Sequence, residues 1–339
     1  MKKLTWIQLR DFVTNRWFVR TVCFGIFVWS CGQLLRFEAA LRAGTPAPTR
    51  PEIVAGILPV GHFMSFFVWL RGGGWDTILP AGLVVIIAAL ATSLLFKRGF
   101  CAWICPLGTL WEYCALAGRV VMRRQQNIAL PRVLDWIGRG LQLLLSLFIM
   151  VWLASVGMDE AASFRQLPYM WIADLKTLHG FTQPVYLVVI VVAVVLFFFF
   201  GSLWCRYLCP VGGLYSVVGM ASPCKVYRDP ETCIDCKKCA RVCHNFVDPT
   251  QQVPINSNVC DGCMDCVKVC PVDDCLQPWA FARWRMKPWM WAVGVVTVWF
   301  GIVLGAQALG RWHTTIPNEV FGQVIQSGLL EEQTPLVPE

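Results

Sequence analysis

The sequence predicts an all-α polytopic membrane protein of about five transmembrane helices, with a small α+β domain inserted between helices 4 and 5. Three observations carry this. The chain is too apolar for water, five of its hydrophobic runs reach spanning length, and a polar, cysteine-dense stretch separates the last two runs. Of 339 residues, 56% are hydrophobic and 15% charged, whereas about a quarter of a soluble domain is charged. Seventeen tryptophans and 21 phenylalanines point the same way, because amphipathic rings collect at membrane–water interfaces. The net charge of +8 would suit nucleic acid, but the basic residues flank apolar runs. The positive-inside rule accounts for them, and nucleic-acid binding is excluded.

The N-terminal run begins after Lys2 and Lys3. Its charged region extends to Arg20 and no small-residue cleavage site follows, so residues 17–35 read as a retained signal anchor. A span needs roughly 20 apolar residues. The candidates are Trp17–Leu35, Thr77–Phe96, Val133–Val156, Pro184–Trp204 and Pro288–Gly310. A sixth run, Ile53–Leu70, contains Gly56, Pro59, Gly61 and His62. If it spanned, Lys97, Arg98, Arg119, Arg123, Arg124 and Arg132 would all lie outside. It therefore reads as interfacial or re-entrant. With five spans, the N-terminus carries five Lys or Arg, the 97–132 loop six and the 205–287 loop ten, against seven on the opposite side. The N-terminus and both large loops are then cytoplasmic. The C-terminus, with Glu319, Glu331, Glu332 and Glu339, lies outside a bacterial inner (cytoplasmic) membrane. The domains are 1–221 (four membrane helices), 222–285 (the insertion) and 286–339 (the fifth helix and outer tail).

An internal repeat supports this layout. Cys101-Ala-Trp-Ile-Cys105-Pro106-Leu-Gly108 matches Cys205-Arg-Tyr-Leu-Cys209-Pro210-Val-Gly212 at a shift of 104 residues. Each copy follows a predicted span, and a Leu-Pro pair precedes each in the outer loops (Leu58-Pro59, Leu167-Pro168). Two helix pairs in parallel orientation would bring shared sites together where the halves meet.

Ten or more of the 17 cysteines fall in short spacings, which favours metal in a reducing compartment over disulfides. Cys233-x2-Cys236-x2-Cys239-x3-Cys243 precedes Cys260-x2-Cys263-x2-Cys266-x3-Cys270-Pro271. In such a pair, three cysteines wrap one cubane and the fourth reaches the other cluster. Cys233, Cys236, Cys239 and Cys270 are then ligands of one [4Fe–4S] cluster, and Cys260, Cys263, Cys266 and Cys243 of a second. Zinc ribbons use two pairs, not two evenly spaced quartets. The twin Cys-x3-Cys-Pro motifs add Cys101, Cys105, Cys205 and Cys209. These four could converge on a third [4Fe–4S] cluster, form a redox dithiol pair, bind copper or be acylated. Cys23, Cys31 and Cys114 read as small packing residues, and Cys224 and Cys275 as packing residues or spare ligands. His62 and His179, in the outer loops, are candidates for proton transfer at a quinone site, against a plain interfacial role. The rings that follow His62 (Phe63, Phe66, Phe67 and Trp69) fit a membrane belt.

The quartets resemble bacterial two-cluster ferredoxins, with His244 standing where the first motif ordinarily has proline; it reads as a hydrogen-bond donor near the cluster. Residues 17–285 as a whole resemble the NapH/MauN family of ferredoxin-type membrane proteins, related to NosR and CcoG. That resemblance implies a respiratory electron-transfer subunit of a quinol dehydrogenase-type complex. It would take electrons from the quinone pool and pass them to other redox subunits, a cytochrome or an iron–sulfur protein. It also implies roles for Cys101, Cys105, Cys205 and Cys209. Neither the large outer flavin-type domain of NosR-like proteins nor the C-terminal immunoglobulin-like domain of CcoG-like proteins is expected here. The alternative is a copper reductase or assembly factor for a membrane oxidase. It would draw on soft ligands, but the ten methionines form no Met-x-x-Met cluster. No nucleotide-binding glycine motif and no Cys-x-x-Cys-His haem site is present, so hydride chemistry within the chain is not expected.

Overall fold

Hydrophobic runs become helices where they can satisfy their own backbone, and the computed structural model shows a mostly helical chain. It describes residues 11, 14–54, 59–124, 126–181, 183–251 and 253–330. The helices are α1 (Arg16–Arg42), α2 (Pro59–Leu70), α3 (Pro80–Leu95), α4 (Gly99–Trp103), α5 (Pro106–Val121), α6 (Arg132–Ser155), α7 (Met158–Arg165), α8 (Pro168–Trp171), α9 (Ala173–Gly180) and α10 (Pro184–Phe200). A π-helical turn, Trp204–Leu208, leads into α11 (Pro210–Met220). Then come β1 (Cys224–Arg228), α12 (Lys238–Val242), α13 (Asp265–Val269), β2 (Leu276–Ala280), β3 (Trp284–Arg285), α14 (Pro288–Ala308) and α15 (Asn318–Gln326).

Among the described residues, α1, α6 and α14 are each long and apolar enough to cross a membrane. The pair α9 and α10, bent by 75°, makes a fourth candidate. Trp136, Leu144, Val185 and Val188 are 63–74% exposed on α6 and α10. Apolar surface in that amount needs lipid rather than water. Two expected spans are shorter than the sequence suggests. Helix α3 has 16 residues and α10 has 17, about 24–26 Å at 1.5 Å per residue. Both stop at a left-handed residue, shortly before Lys97 (φ 60°) and at Gly201 (φ 74°), which ends the helical ladder. Pro59 and the run after it form α2, while Leu58 of the first Leu-Pro pair, Lys2, Lys3 and the glutamates beyond 330 fall outside the described residues.

The chain forms two compact units. Unit 1 comprises Met1–Gly25, Ile87–Met150 and Val191–Ile302, and contains every motif cysteine. Its small sheet has the order β1-β2-β3, all antiparallel, with Cys224 opposite Ala280 and Arg228 opposite Leu276. Aromatic pairs pack it further: Phe100 stacks on Trp299 at 4.9 Å and Trp111 on Phe197 at 4.3 Å. Unit 2 comprises Ile26–Ile86, Val151–Ile190 and Val303–Glu339. Its core joins Leu34 and Phe37 to Val54, Ile172, Leu175, Phe321 and Ile325. The amphipathic α15 closes that core because Phe321, Val324 and Ile325 share one helical face.

Candidate iron–sulfur site

The two quartets repeat at 27 residues, and their backbones repeat as well. Asp235 and Lys237, around Cys236, have φ of 49° and 55°; Gly262 and Met264, around Cys263, have 69° and 66°. Left-handed residues placed so closely turn successive N–H groups into one concavity, the form that receives anions and iron–sulfur clusters. Gly262 is required twice over, because a Cβ there would also lie 2.7 Å from Trp291 and 3.1 Å from the Phe96 carbonyl oxygen.

Cys233, Cys236, Cys239 and Cys270 line one cavity, joined by Cys275. Cys243, Cys260, Cys263 and Cys266 form a second group, each within electrostatic reach of another member. Burial pushes the Cys243 thiol up to about 12 and the Cys266 thiol well above its ordinary range. Thiols so placed ionise when a bound metal supplies the compensating charge. The donor set and the concave backbone therefore fit the clusters that the spacing implies.

The duplicated motif is built differently. The second cysteine of each copy caps the next helix: Gly108 N–H donates to Cys105 Sγ at 3.4 Å and Gly212 N–H to Cys209 Sγ at 3.3 Å. Pro106 and Pro210 sit at the first helical position, where the missing N–H costs nothing. Cys101, Cys105, Cys205 and Cys209 come close enough to influence one another's ionisation. Burial pushes the Cys101 thiol up to about 12, Cys105 and Cys209 add to it, and the Arg98 guanidinium opposes it.

Between this group and the second quartet lies a buried polar network that sequence reading missed. Arg16 and Arg20 both pair with Glu112, and Arg16 also reaches Asp265 at 2.7 Å. His244 Nε2 lies 2.8 Å from Asp261, the residue after Cys260, and its Nδ1 is 4.0 Å from Glu112. Burial opposes protonation of His244, but Asp261 and Glu112 outweigh it and raise the imidazole's pKa. Trp103, between Cys101 and Cys105, donates its indole N–H to the Gly262 carbonyl at 3.2 Å. Gln142 of α6 donates to the carbonyls of Cys205 and Cys209. No local pattern announces these partners, because each pairing depends on tertiary contact. His244 follows Cys243 of the first quartet and lies in hydrogen-bond contact with Asp261 in the second quartet's loop. In unit 2, His62 is buried with its ring against Gly82, and His179 lies 2.8 Å from Glu38.

A 4Fe-4S binding domain family matches residues 78–124 and 182–223, the two copies of the repeat, and a 4Fe-4S dicluster domain family matches 225–271. The chain is 33% identical over 293 residues to the putative electron transport protein YccM of Escherichia coli K12, covering 84% of this chain and 81% of that protein. It is 26% identical to the ferredoxin-type protein NapH of the same organism, over 77% of this chain and 88% of NapH. It is 30% identical to protein NirI of Paracoccus denitrificans, over 64% of this chain, which spans a third (33%) of NirI. No solved structure matches. With its cysteine groups, apolar helices and these relatives together, the chain belongs to the NapH/NosR-type family of ferredoxin-like membrane proteins and is an iron–sulfur electron-transfer protein.

Proposed function

We propose that the chain is a membrane electron conduit that takes electrons from quinol and delivers them to a partner redox subunit of a respiratory chain. Cys233, Cys236, Cys239 and Cys270 hold one [4Fe–4S] cluster, Cys260, Cys263, Cys266 and Cys243 a second, and Cys101, Cys105, Cys205 and Cys209 a third. Each such cluster, when bound, supplies reversible one-electron chemistry at a potential set by its surroundings. The observation that carries this reading is the contact between motif loops. Trp103, inside the first Cys-x3-Cys-Pro copy, hydrogen-bonds the Gly262 carbonyl inside the second quartet, and Arg16 joins the Ala102 carbonyl to Asp265. These buried contacts tie the first Cys-x3-Cys-Pro copy to the loop of the second quartet, which supports electron transfer between those two groups.

In this reading residues 1–221 carry four spans, 222–285 the two-cluster module and 286–339 the fifth span and outer tail. The N-terminus and module face the cytoplasm of a bacterial cell, and the C-terminus faces outward. His62 and His179 are the candidates to accept a quinol proton. Ser65 and Arg165 both engage Asp76, four positions before the start of α3, and this polar cluster in unit 2 supports such a site. Reduction of the purified chain by a quinol analogue, followed by EPR, tests the proposal. Signals that appear with dithionite but never with quinol would remove the quinol donor.

A further inference from the structure

The four-thiol group of the duplicated motif is flanked by two guanidiniums in matching places. The repeat relates Cys101 to Cys205, Cys105 to Cys209 and Gly108 to Gly212. A Cβ built at Gly212 would lie 3.2 Å from Arg98 Nη2 and 3.2 Å from the Cys205 carbonyl oxygen. A Cβ built at Gly108 would lie 3.7 Å from Arg20 Nη2 and 3.0 Å from the Cys101 carbonyl oxygen. Each motif glycine therefore faces an arginine and its own cysteine carbonyl. The two arginines are not themselves related by the repeat: position 98 corresponds to Ser202, and Arg20 comes from α1. Two unrelated positions supply the same group to the same place.

Both side chains are buried, at 1% and 3% exposure. Arg98 Nη2 donates to the Cys205 carbonyl at 2.8 Å; Arg20 Nη1 donates to the Ala102 carbonyl at 3.1 Å and to Glu112, and its Nε to Thr109 Oγ1 at 3.3 Å. Those bonds leave donors over. Arg98 Nε and Arg20 Nη2 have no hydrogen-bond partner among the described residues. Both arginines line a cavity that Cys101 and Cys205 also line, together with the carboxylates Glu112 and Asp261. A buried guanidinium with open donors is costly. Glu112 and Asp261 offset part of that cost, and an anionic group beside the open Nε of Arg98 and Nη2 of Arg20 offsets more of it.

We propose that Arg20 and Arg98 are paired positioning residues whose charge and free N–H groups favour the reduced, more negative state of a cluster held by Cys101, Cys105, Cys205 and Cys209. The inference rests on the reading that these thiols hold a third cluster. A one-electron reduction adds negative charge to a site already negative through its thiolates, in surroundings of low dielectric. Fixed positive charge beside it raises its potential. A purely structural role, tying helix ends through the two carbonyl bonds, predicts loss of iron or stability but no change in potential.

The test is an EPR-monitored redox titration, with iron counted per chain, on the full-length detergent-solubilised protein and on R20Q, R98Q and R98K. The signal of interest is the one that disappears in C205S/C209S. Wild type should hold about twelve irons. In R20Q and in R98Q, reduction of that centre should become about tenfold less favourable, a downward shift of about 59 mV for a one-electron couple. R98K should recover most of the shift, and the other signals should move far less. About twelve irons with an unmoved potential in both Gln variants overturns the role of the arginines alone. About eight irons in wild type, none lost in C205S/C209S, overturns the third cluster and this inference with it. If the Gln variants are recovered without iron, R20K and R98K decide: the charge is kept, so absence of the centre from both overturns the proposal.

Discussion

Glu112 shows how much of the site depends on one carboxylate. It lies in the middle of α5 and receives Arg16 and Arg20 on one side, with His244 on the other. Burial alone would raise its pKa, but Arg16, His244 and Arg20 bring it down to about 2 from an ordinary 4.5. A carboxyl depressed in the folded state stabilises it fully above the unfolded value, and that contribution is lost as pH falls through the folded one. The pairing is therefore complete above about pH 4.5 and disappears toward pH 2. Glu112→Gln leaves two buried guanidiniums without their anion and should cost about 3 kcal/mol at pH 7. Unfolding monitored by circular dichroism in detergent should show this loss. It should also show a flatter acid limb in the variant than in wild type; an unchanged midpoint at pH 7 would refute the pairing's importance. The quartet cysteines were legible because their spacing is local and metal chemistry fixes it. Arg20, Arg98 and Glu112 were not, because a lone arginine beside an apolar run reads as a positive-inside charge until folding brings it against a thiol. Cys275 reads from sequence as either a packing residue or a spare ligand, and its place in the first quartet's cavity depends on β2 following the turn after Pro271.

At the scale of elements, the hydrophobic runs marked where helices lie but not where they stop. Lys97 is left-handed without being glycine, so nothing in the composition signals that α3 ends there. Gly201 does carry that signal, and its counterpart at position 97 is visible only through the repeat. The close approach of α5 and α10 was equally hidden. A Cβ at Gly118 would overlap the Phe198 carbonyl oxygen, and Asn127 donates to that same oxygen and to the Ala115 carbonyl. Glycine at 118 lets the helix that follows the first motif touch the helix that precedes the second. Gly118→Ala must push these backbones apart and should destabilise by about 1–3 kcal/mol. Because α5 begins at Cys105–Pro106, the displacement should reach the four-thiol group first. Iron analysis should show that group depleted while both quartets keep their iron, and unchanged spectra with unchanged stability would exclude the close contact.

For the whole molecule, the apolar content and the charge asymmetry spoke for a membrane protein before any contact was known, and the exposed apolar faces of α6 and α10 agree with it. The number and direction of spans are a separate matter. Helices α1, α6 and α14 have spanning length by themselves, whereas α3 and α10, at 16 and 17 residues, are shorter than the usual 20. Each of these two short helices runs directly into a Cys-x3-Cys-Pro turn and then another apolar helix. The second turn is tied down by Arg98 and Gln142 through the Cys205 and Cys209 carbonyls and the first by Arg16 and Arg20 through the Ala102 carbonyl, so these backbone groups find protein partners, which is what permits irregular chain near the edge of the hydrocarbon. A bilayer can thin or the helices can stay upright to accommodate the short length at modest cost. If all five cross, residue 286 lies inside and the C-terminus outside. Fusions of alkaline phosphatase, active only outside, and of green fluorescent protein, fluorescent only inside, discriminate the alternatives. The phosphatase should be active after residue 330 and inactive after residue 286, with fluorescence reversed. If α3 failed to span, the chain would cross four times, and a fluorescent C-terminal fusion together with a fluorescent N-terminal one would reveal it.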